Sequence, residues 1–199
     1  SFPIDSLKKY GFESNEELNA FRYTDFCFQQ FIEAAKKEPY FNNTIFAFIG
    51  DHGIAGNAAN MFPAAWTTDG LTAYHVPLLF YAPAILPVGK TISSIASQVD
   101  VLPTLAGLAH IPAYENSTLG RDLLKQQAQD SGQSNKAFII DHNNKTVGII
   151  YDHWYYSRSI AGSREKMVSL LFKQSPPASV TDSLLTNYRN YTNAFYETA

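Results

Sequence analysis

What this chain has little of narrows it first. It holds 199 residues and one cysteine, Cys27. One thiol cannot close a disulfide within the chain, so no disulfide scaffold is expected. Cys27 lies between Phe26 and Phe28, a setting for a buried structural thiol rather than a nucleophile. No apolar run reaches the roughly 18 residues that would span a bilayer. Positive charge is not in excess: 15 Lys and Arg against 18 Asp and Glu give a formal charge of -3. No basic surface is expected, and nucleic acid is not implied as a partner. The chain opens on Ser1 with neither methionine nor signal sequence, which reads as a processed, excised or truncated product. Internal repeats and low-complexity segments are lacking. What is present suits a mixed α/β domain: 45% hydrophobic and 14% aromatic residues, with 11 glycines and 10 prolines, enough apolar material for a core.

The most informative stretch runs from Asn43 to Gly53. Thr44 to Ile49 is short, nearly all apolar and stopped by Gly50, the pattern of a buried strand in a parallel sheet. Asp51, His52 and Gly53 follow. In open α/β sheets ligands bind just past the carboxyl ends of strands. A hard oxygen from Asp51 and a nitrogen from His52, between glycines that permit a tight turn, make half of a metal site suited to zinc or manganese. The alternative is an ordinary turn in which Asp51 makes an Asx-type hydrogen bond and His52 is exposed.

Around that stretch, Ser14-Asn15-Glu16-Glu17 reads as a capping box. It opens a helix that runs to about Lys37 and stops before Pro39. Phe21, Phe28, Ile32 and Ala35 form its apolar stripe. Asp25 falls on the stripe and reads as a partly buried, hydrogen-bonded carboxylate or as a sign that the stripe is rotated. Residues 54–72 form a long loop without periodicity, the length at which loops become functional. Val76 to Tyr81 is a second strand, and Ile92 to Gln98 a strand or an extended segment. Asp100 is placed to cap a helix over 101–109, with Pro103 in its first turn. His110 follows the helix end and reads as non-catalytic. Asn116-Ser117-Thr118 matches a glycosylation sequon. A short helix is expected from Leu119 to about Gln127, then a polar surface loop.

From Lys136 the pattern changes. Residues 136–141 and 146–151 read as a β-hairpin. Residues 152–159 and 167–172 add further antiparallel strands, and 180–198 closes the chain as an amphipathic helix. Asp141-His142 and Asp152-His153 repeat the Asp-His pairing, without flanking glycines, and read as turn residues rather than metal ligands.

Residues 19–124 resemble the alkaline phosphatase superfamily, in its sulfatase and lipoteichoic acid synthase branch. Five pieces stand in that family's order: Ala20-Phe21-Arg22-Tyr23-Thr24-Asp25; Tyr40 to Ile45 leading into Gly50-Asp51-His52-Gly53; Tyr74-His75-Val76-Pro77-Leu78-Leu79-Phe80-Tyr81-Ala82-Pro83; Ser97-Gln98-Val99-Asp100-Val101-Leu102-Pro103-Thr104-Leu105; and Leu119-Gly120-Arg121-Asp122-Leu123-Leu124. The resemblance implies the fold: α/β, with a mostly parallel sheet sandwiched by helices, alkaline phosphatase-like but partial, then a small carboxyl-terminal antiparallel sheet and a terminal helix. Residues 1–135 would be the carboxyl-terminal part of the catalytic domain, and 136–199 an antiparallel β subdomain with a closing helix of the same domain.

The resemblance also implies chemistry. Asp51 and His52 would ligate a divalent metal, with manganese or zinc favoured over calcium because calcium prefers oxygen ligands throughout. His75 would contact the transferred phosphate; its alternative is a histidine capping a strand end. Trp66 would pack on a glycerol or sugar moiety, or else pin the loop to the core. The family's nucleophile, a Thr, Ser or modified Cys, has no counterpart here, so no catalytic residue is assigned and the fragment is expected to be inactive alone. The implied reaction is transfer of a phosphoglycerol-type group from a phospholipid or other anionic ester to a glycan or polymer acceptor, or phosphoester hydrolysis. It would take place at the cell membrane, in a periplasmic or extracellular domain tethered through segments outside this chain. The alternatives are a sulfatase and a non-catalytic domain that binds a glycan or a partner.

Overall fold

The computed structural model describes residues 15–58, 61–112, 119–125, 135–172 and 182–198. They fall into two compact units, Ser1–Lys90 and Thr91–Ala199. Ser14 of the expected capping box, the sequon at 116–118 and most of the polar loop after 125 lie outside the described residues.

In the first unit, helix α1 spans Asn15–Ala35. Its end at Ala35 fits the Pro39 signal, because a residue before proline is pushed out of the helical region. Strand β1, Phe46–Ile49, lies against it. Phe28 meets Phe48 edge-on at 5.1 Å and Phe31 meets Phe46 at 5.9 Å. Ala35, Phe41 and Phe46 are buried, with Ile32, Phe48 and Tyr81 packed on them. Three residues of the expected stripe, Phe28, Ile32 and Ala35, make this contact, and Phe31 joins them. Phe21 is half exposed, and Asp25 is exposed rather than buried and paired. Cys27 is exposed too, because β1 covers only the face bearing Phe28, Phe31, Ile32 and Ala35.

The pairing of β1 corrects the parallel-sheet expectation. Its partner β2, Leu78–Tyr81, runs antiparallel to it, with Phe46 opposite Tyr81 and Ile49 opposite Leu78. Among the described residues every strand pair is antiparallel. A parallel neighbour needs a crossover that carries the chain back along the strand. Among the described residues, the only α-helix between β1 and β2 is the five-residue α2, Ala64–Thr68, about 8 Å long at 1.5 Å per residue. It does not make that return. Nor is β1 buried on both faces: Phe46 is buried, whereas Ala47 and Ile49 are exposed. The mixed α/β class stands.

In the second unit a 3-10 turn, Gln98–Asp100, runs into helix α3, Val101–Leu108. Asp100 is buried but does not cap α3 with its side chain. Its carboxylate instead accepts the amides of Ser97 (2.8 Å) and Arg121 (2.9 Å). The Thr104 hydroxyl donates to the Asp100 carbonyl (2.7 Å) and accepts from the Leu123 amide (3.0 Å). The Arg121 guanidinium donates to the Ile95 carbonyl. These side chains hold 119–125 as an irregular strap, so the short helix expected from Leu119 is not formed over the described residues. Leu119 has a left-handed φ of 58°, outside the helical well. A Cβ on Gly120 would run into the Val99 carbonyl, so the strap lies close against 99–100 only because that residue is glycine.

The expected antiparallel sheet is present. Its strands are β3 (Lys136–Asp141), β4 (Thr146–Tyr151), β5 (Trp154–Ser159) and β6 (Glu165–Ser169), in sequence order. Helix α4, Asp182–Thr198, closes it. Ile149, Trp154, Tyr156 and Tyr188 form the core, flanked by Leu184, Leu185, Tyr191 and Phe195 of α4.

Candidate functional site

Asp51 and His52 stand where β1 ends. Two backbone bonds clasp the turn to the segment before β2: the Gly50 amide donates to the Pro77 carbonyl (3.2 Å) and the Gly53 amide to the Ala73 carbonyl (2.8 Å). Gly53 packs so closely that a Cβ there would lie 2.7 Å from the His75 carbonyl oxygen and nearer still to that of Thr72. Only glycine permits this approach. The chain that carries His75 is therefore laid beside the chain that carries His52.

Within the turn, Asp51 Oδ1 accepts the His52 amide (2.9 Å). His52 Nδ1 lies 2.8 Å from the Gly53 carbonyl oxygen. A carbonyl can only accept, so Nδ1 carries the proton. In the neutral ring the lone pair is then on Nε2, the arrangement typical of metal-ligating histidines. Nε2 is 3.9 Å from Asp51 Oδ2, and the His52 and Asp51 side chains are 77% and 93% exposed. Ligands about 2.1 Å from a tetrahedral ion stand roughly 3.4 Å apart. The observed 3.9 Å separation is about 0.5 Å wider than that span. The donor set fits two positions of a shell. Among the described residues no group of three or more His, Cys, Asp or Glu is placed to hold an ion. Water, substrate oxygens or further protein groups would fill the other positions.

Trp66 and His75 come together in the loop beyond. Gly70, with a left-handed φ of 64°, turns the chain from α2 into a 3-10 turn, Leu71–Tyr74, anchored by buried Leu71. The Trp66 and His75 ring centroids are 5.0 Å apart. Phe62 joins them, stacked on Trp66 at 4.8 Å and edge-on to His75 at 5.7 Å. His75 is exposed, while Phe62 and Trp66 are half-buried. Thr67 and Thr72 tie down the intervening loop by accepting the Ala58 and Gly56 amides (2.9 and 3.4 Å). Sequence reasoning missed Phe62, although it lies one helical turn before Trp66 across Pro63.

The other Asp-His pairs lie where strands run into turns. Asp141 accepts both the backbone and the side-chain amide of Asn144 (2.9 and 2.7 Å). Asp152 takes a left-handed φ of 55° in the tight connection between β4 and β5, with its carboxylate 3.1 Å from His153 Nδ1. Aspartate tolerates that region better than most residues.

Comparison with known proteins shows what the chain is similar to. The sulfatase family model matches residues 13–111. A lipoteichoic acid synthase-like protein of Bacillus subtilis, YvgJ, is 31% identical over 118 residues, covering 55% of this chain and 19% of its own length. A sulfatase of Formosa agariphila is 26% identical over 145 residues, 72% of this chain and 27% of its own. The chain therefore spans about a fifth to a quarter of these relatives. Among solved structures, that of Ps i-CgsB in complex with k-i-k-neocarrahexaose aligns with a TM-score of 0.58 at 21% identity, over 82% of this chain and 39% of that one. At that identity the likeness is one of fold.

Proposed function

Residues 13–111 belong to the sulfatase family, whose members generally use a divalent metal, and from that premise we propose that the chain is part of a metal-dependent enzyme acting on phosphoesters. The reaction is transfer of a phosphoglycerol-type group to a glycan or polymer acceptor, or hydrolysis of the ester. The substrate is a phospholipid or similar anionic ester outside the cytoplasm. No helix among the described residues is long and apolar enough to cross a membrane, so in this reading other segments provide any anchor. The observation that carries the proposal is the His52 ring. Its Nδ1 is committed to the Gly53 carbonyl, which leaves Nε2 open beside the Asp51 carboxylate at the end of a strand.

In this reading Asp51 and His52 supply two ligands. The ion, when bound, neutralises charge on the ester oxygens and lowers the pKa of the attacking group. His75 donates a hydrogen bond to a substrate oxygen, and the nucleophile and remaining ligands come from sulfatase-domain residues other than these. The nitrogen donor favours manganese or zinc over calcium. Sulfate-ester hydrolysis is the second reading, supported by the Formosa agariphila relative named a sulfatase over 72% of this chain. A domain that binds glycan or partner without catalysis is the third.

Calorimetric titration of manganese and zinc tests the metal assignment. Micromolar binding is expected, weakened at least tenfold, about 1.4 kcal/mol, by Asp51→Ala or His52→Ala. Binding that survives both substitutions overturns the assignment.

A further inference from the structure

We infer that Phe62 and Trp66 are a positioning pair for the His75 imidazole, holding its ring so that one edge faces a tetrahedral oxyanion, phosphate or sulfate. The inference rests on the reading of His75 as a substrate contact and adds what orients it. An exposed histidine on a loop ordinarily samples several rotamers, and each adaptable side chain that binding immobilises carries an entropic cost. Here two aromatic rings confine it. Trp66 meets His75 at 5.0 Å and 61°, and Phe62 meets it at 5.7 Å and 90°. Both are edge-type contacts, the arrangement that aromatic quadrupoles favour. Phe62 and Trp66 stack on each other at 4.8 Å and 29°, so they move as one wall. Three further features fix the wall relative to the turn at residues 51–53: α2, the left-handed Gly70, and the packing of Gly53 against the Thr72 and His75 carbonyls. Half-buried as they are, the rings serve His75 more directly than they serve a ligand. The ligand meets the exposed imidazole.

The test uses the protein as it stands, with zinc present, and follows the His75 ring signals by NMR while inorganic phosphate or inorganic sulfate is added. His75→Ala identifies those signals by their loss. Ring currents from Trp66 and Phe62 should displace them. Trp66→Leu and, independently, Phe62→Leu should return them toward unperturbed positions, while Trp66→Phe retains most of the displacement. Phosphate affinity should fall about fivefold in Trp66→Leu, the scale on which contacting residues couple. The drop in Trp66→Leu/His75→Ala should be no greater than in His75→Ala alone, and Trp66→Phe should restore binding. Unchanged affinity in both leucine variants overturns the inference, as do losses that simply add in the double variant. Unchanged affinity in His75→Ala, or no anion binding by the wild-type protein, overturns the substrate-contact reading and the inference with it. That outcome is recognised because Trp66→Leu still moves the His75 signals. Tighter binding of sulfate than of phosphate points to the sulfate-ester reading.

Discussion

Gly53 has no room for a side chain. A methyl group there would meet two backbone carbonyl oxygens, those of Thr72 and His75, and backbone cannot swing aside as a flexible side chain can. Gly53→Ala should therefore force the two loops apart. Overpacking of this kind destabilises by about 1–3 kcal/mol. Thermal unfolding should show the loss, and zinc affinity should fall with it because the His52 ring is anchored on the Gly53 carbonyl. An unshifted melting temperature with unchanged zinc binding would show that the loops yield freely. Asp100 makes the complementary point. It belongs to one of the sequence pieces that mark the family, yet its buried carboxylate serves the Ser97 and Arg121 amides. Two pieces separate in sequence, 97–105 and 119–124, are one hydrogen-bonded structure.

At the scale of elements, α4 is joined to the sheet by a charged and aromatic cluster. Arg189 donates from Nε (3.0 Å) and from a terminal nitrogen (2.6 Å) to the two oxygens of Glu165 on β6. Tyr156 of β5 donates its hydroxyl to the same carboxylate (2.7 Å). The Arg189 hydrogen bonds and then the Tyr156 one hold the Glu165 carboxyl below its usual range. Its contribution is present above the unfolded value and lost as the pH falls through the lower folded one. Burial, and then the Glu165 hydrogen bond, push the Tyr156 phenol up to about 12. Its contribution is complete below its ordinary value of 10.0 and lost as the pH rises through about 12. Urea midpoints measured across pH should fall at both ends. Tyr156→Phe should lessen the alkaline fall, and Glu165→Gln the acid one. If both limbs persist in both variants, other groups control them.

At the scale of the whole molecule, the two units differ in how completely they satisfy their own strands. The β3–β6 sheet has four strands and a helix across its core. The β1–β2 ribbon has two, and two strands alone are marginal in water. Phe21 (50%), Tyr23 (69%) and Phe26 (52%) of α1 and Leu79 (56%) of β2 are exposed. Native-state hydrogen exchange should therefore be faster for the β1–β2 amides than for those of β4 and β5, by the difference between local and global opening. Equal protection in the two sheets would contradict this.

Much was legible in the sequence because it depends on neighbours along the chain. The period of apolar residues marked α1, α4 and all four strands of the second sheet, and Pro39 marked the end of α1. The apolar run broken by Gly50 placed Asp51 and His52 past a strand end. The order of short pieces indicated the family. Tertiary structure decided what depends on chain segments meeting at a distance. It paired β1 with β2 antiparallel where a buried apolar run suggested parallel neighbours, because an apolar run records burial and not strand direction. It moved Asp100 from a helix cap to the Arg121 strap, and Phe62 from an unremarked loop position to the His75 ring. Propensity and periodicity reach across a few residues. Which distant side chain or carbonyl satisfies a given group is settled only when the folded chain brings them together.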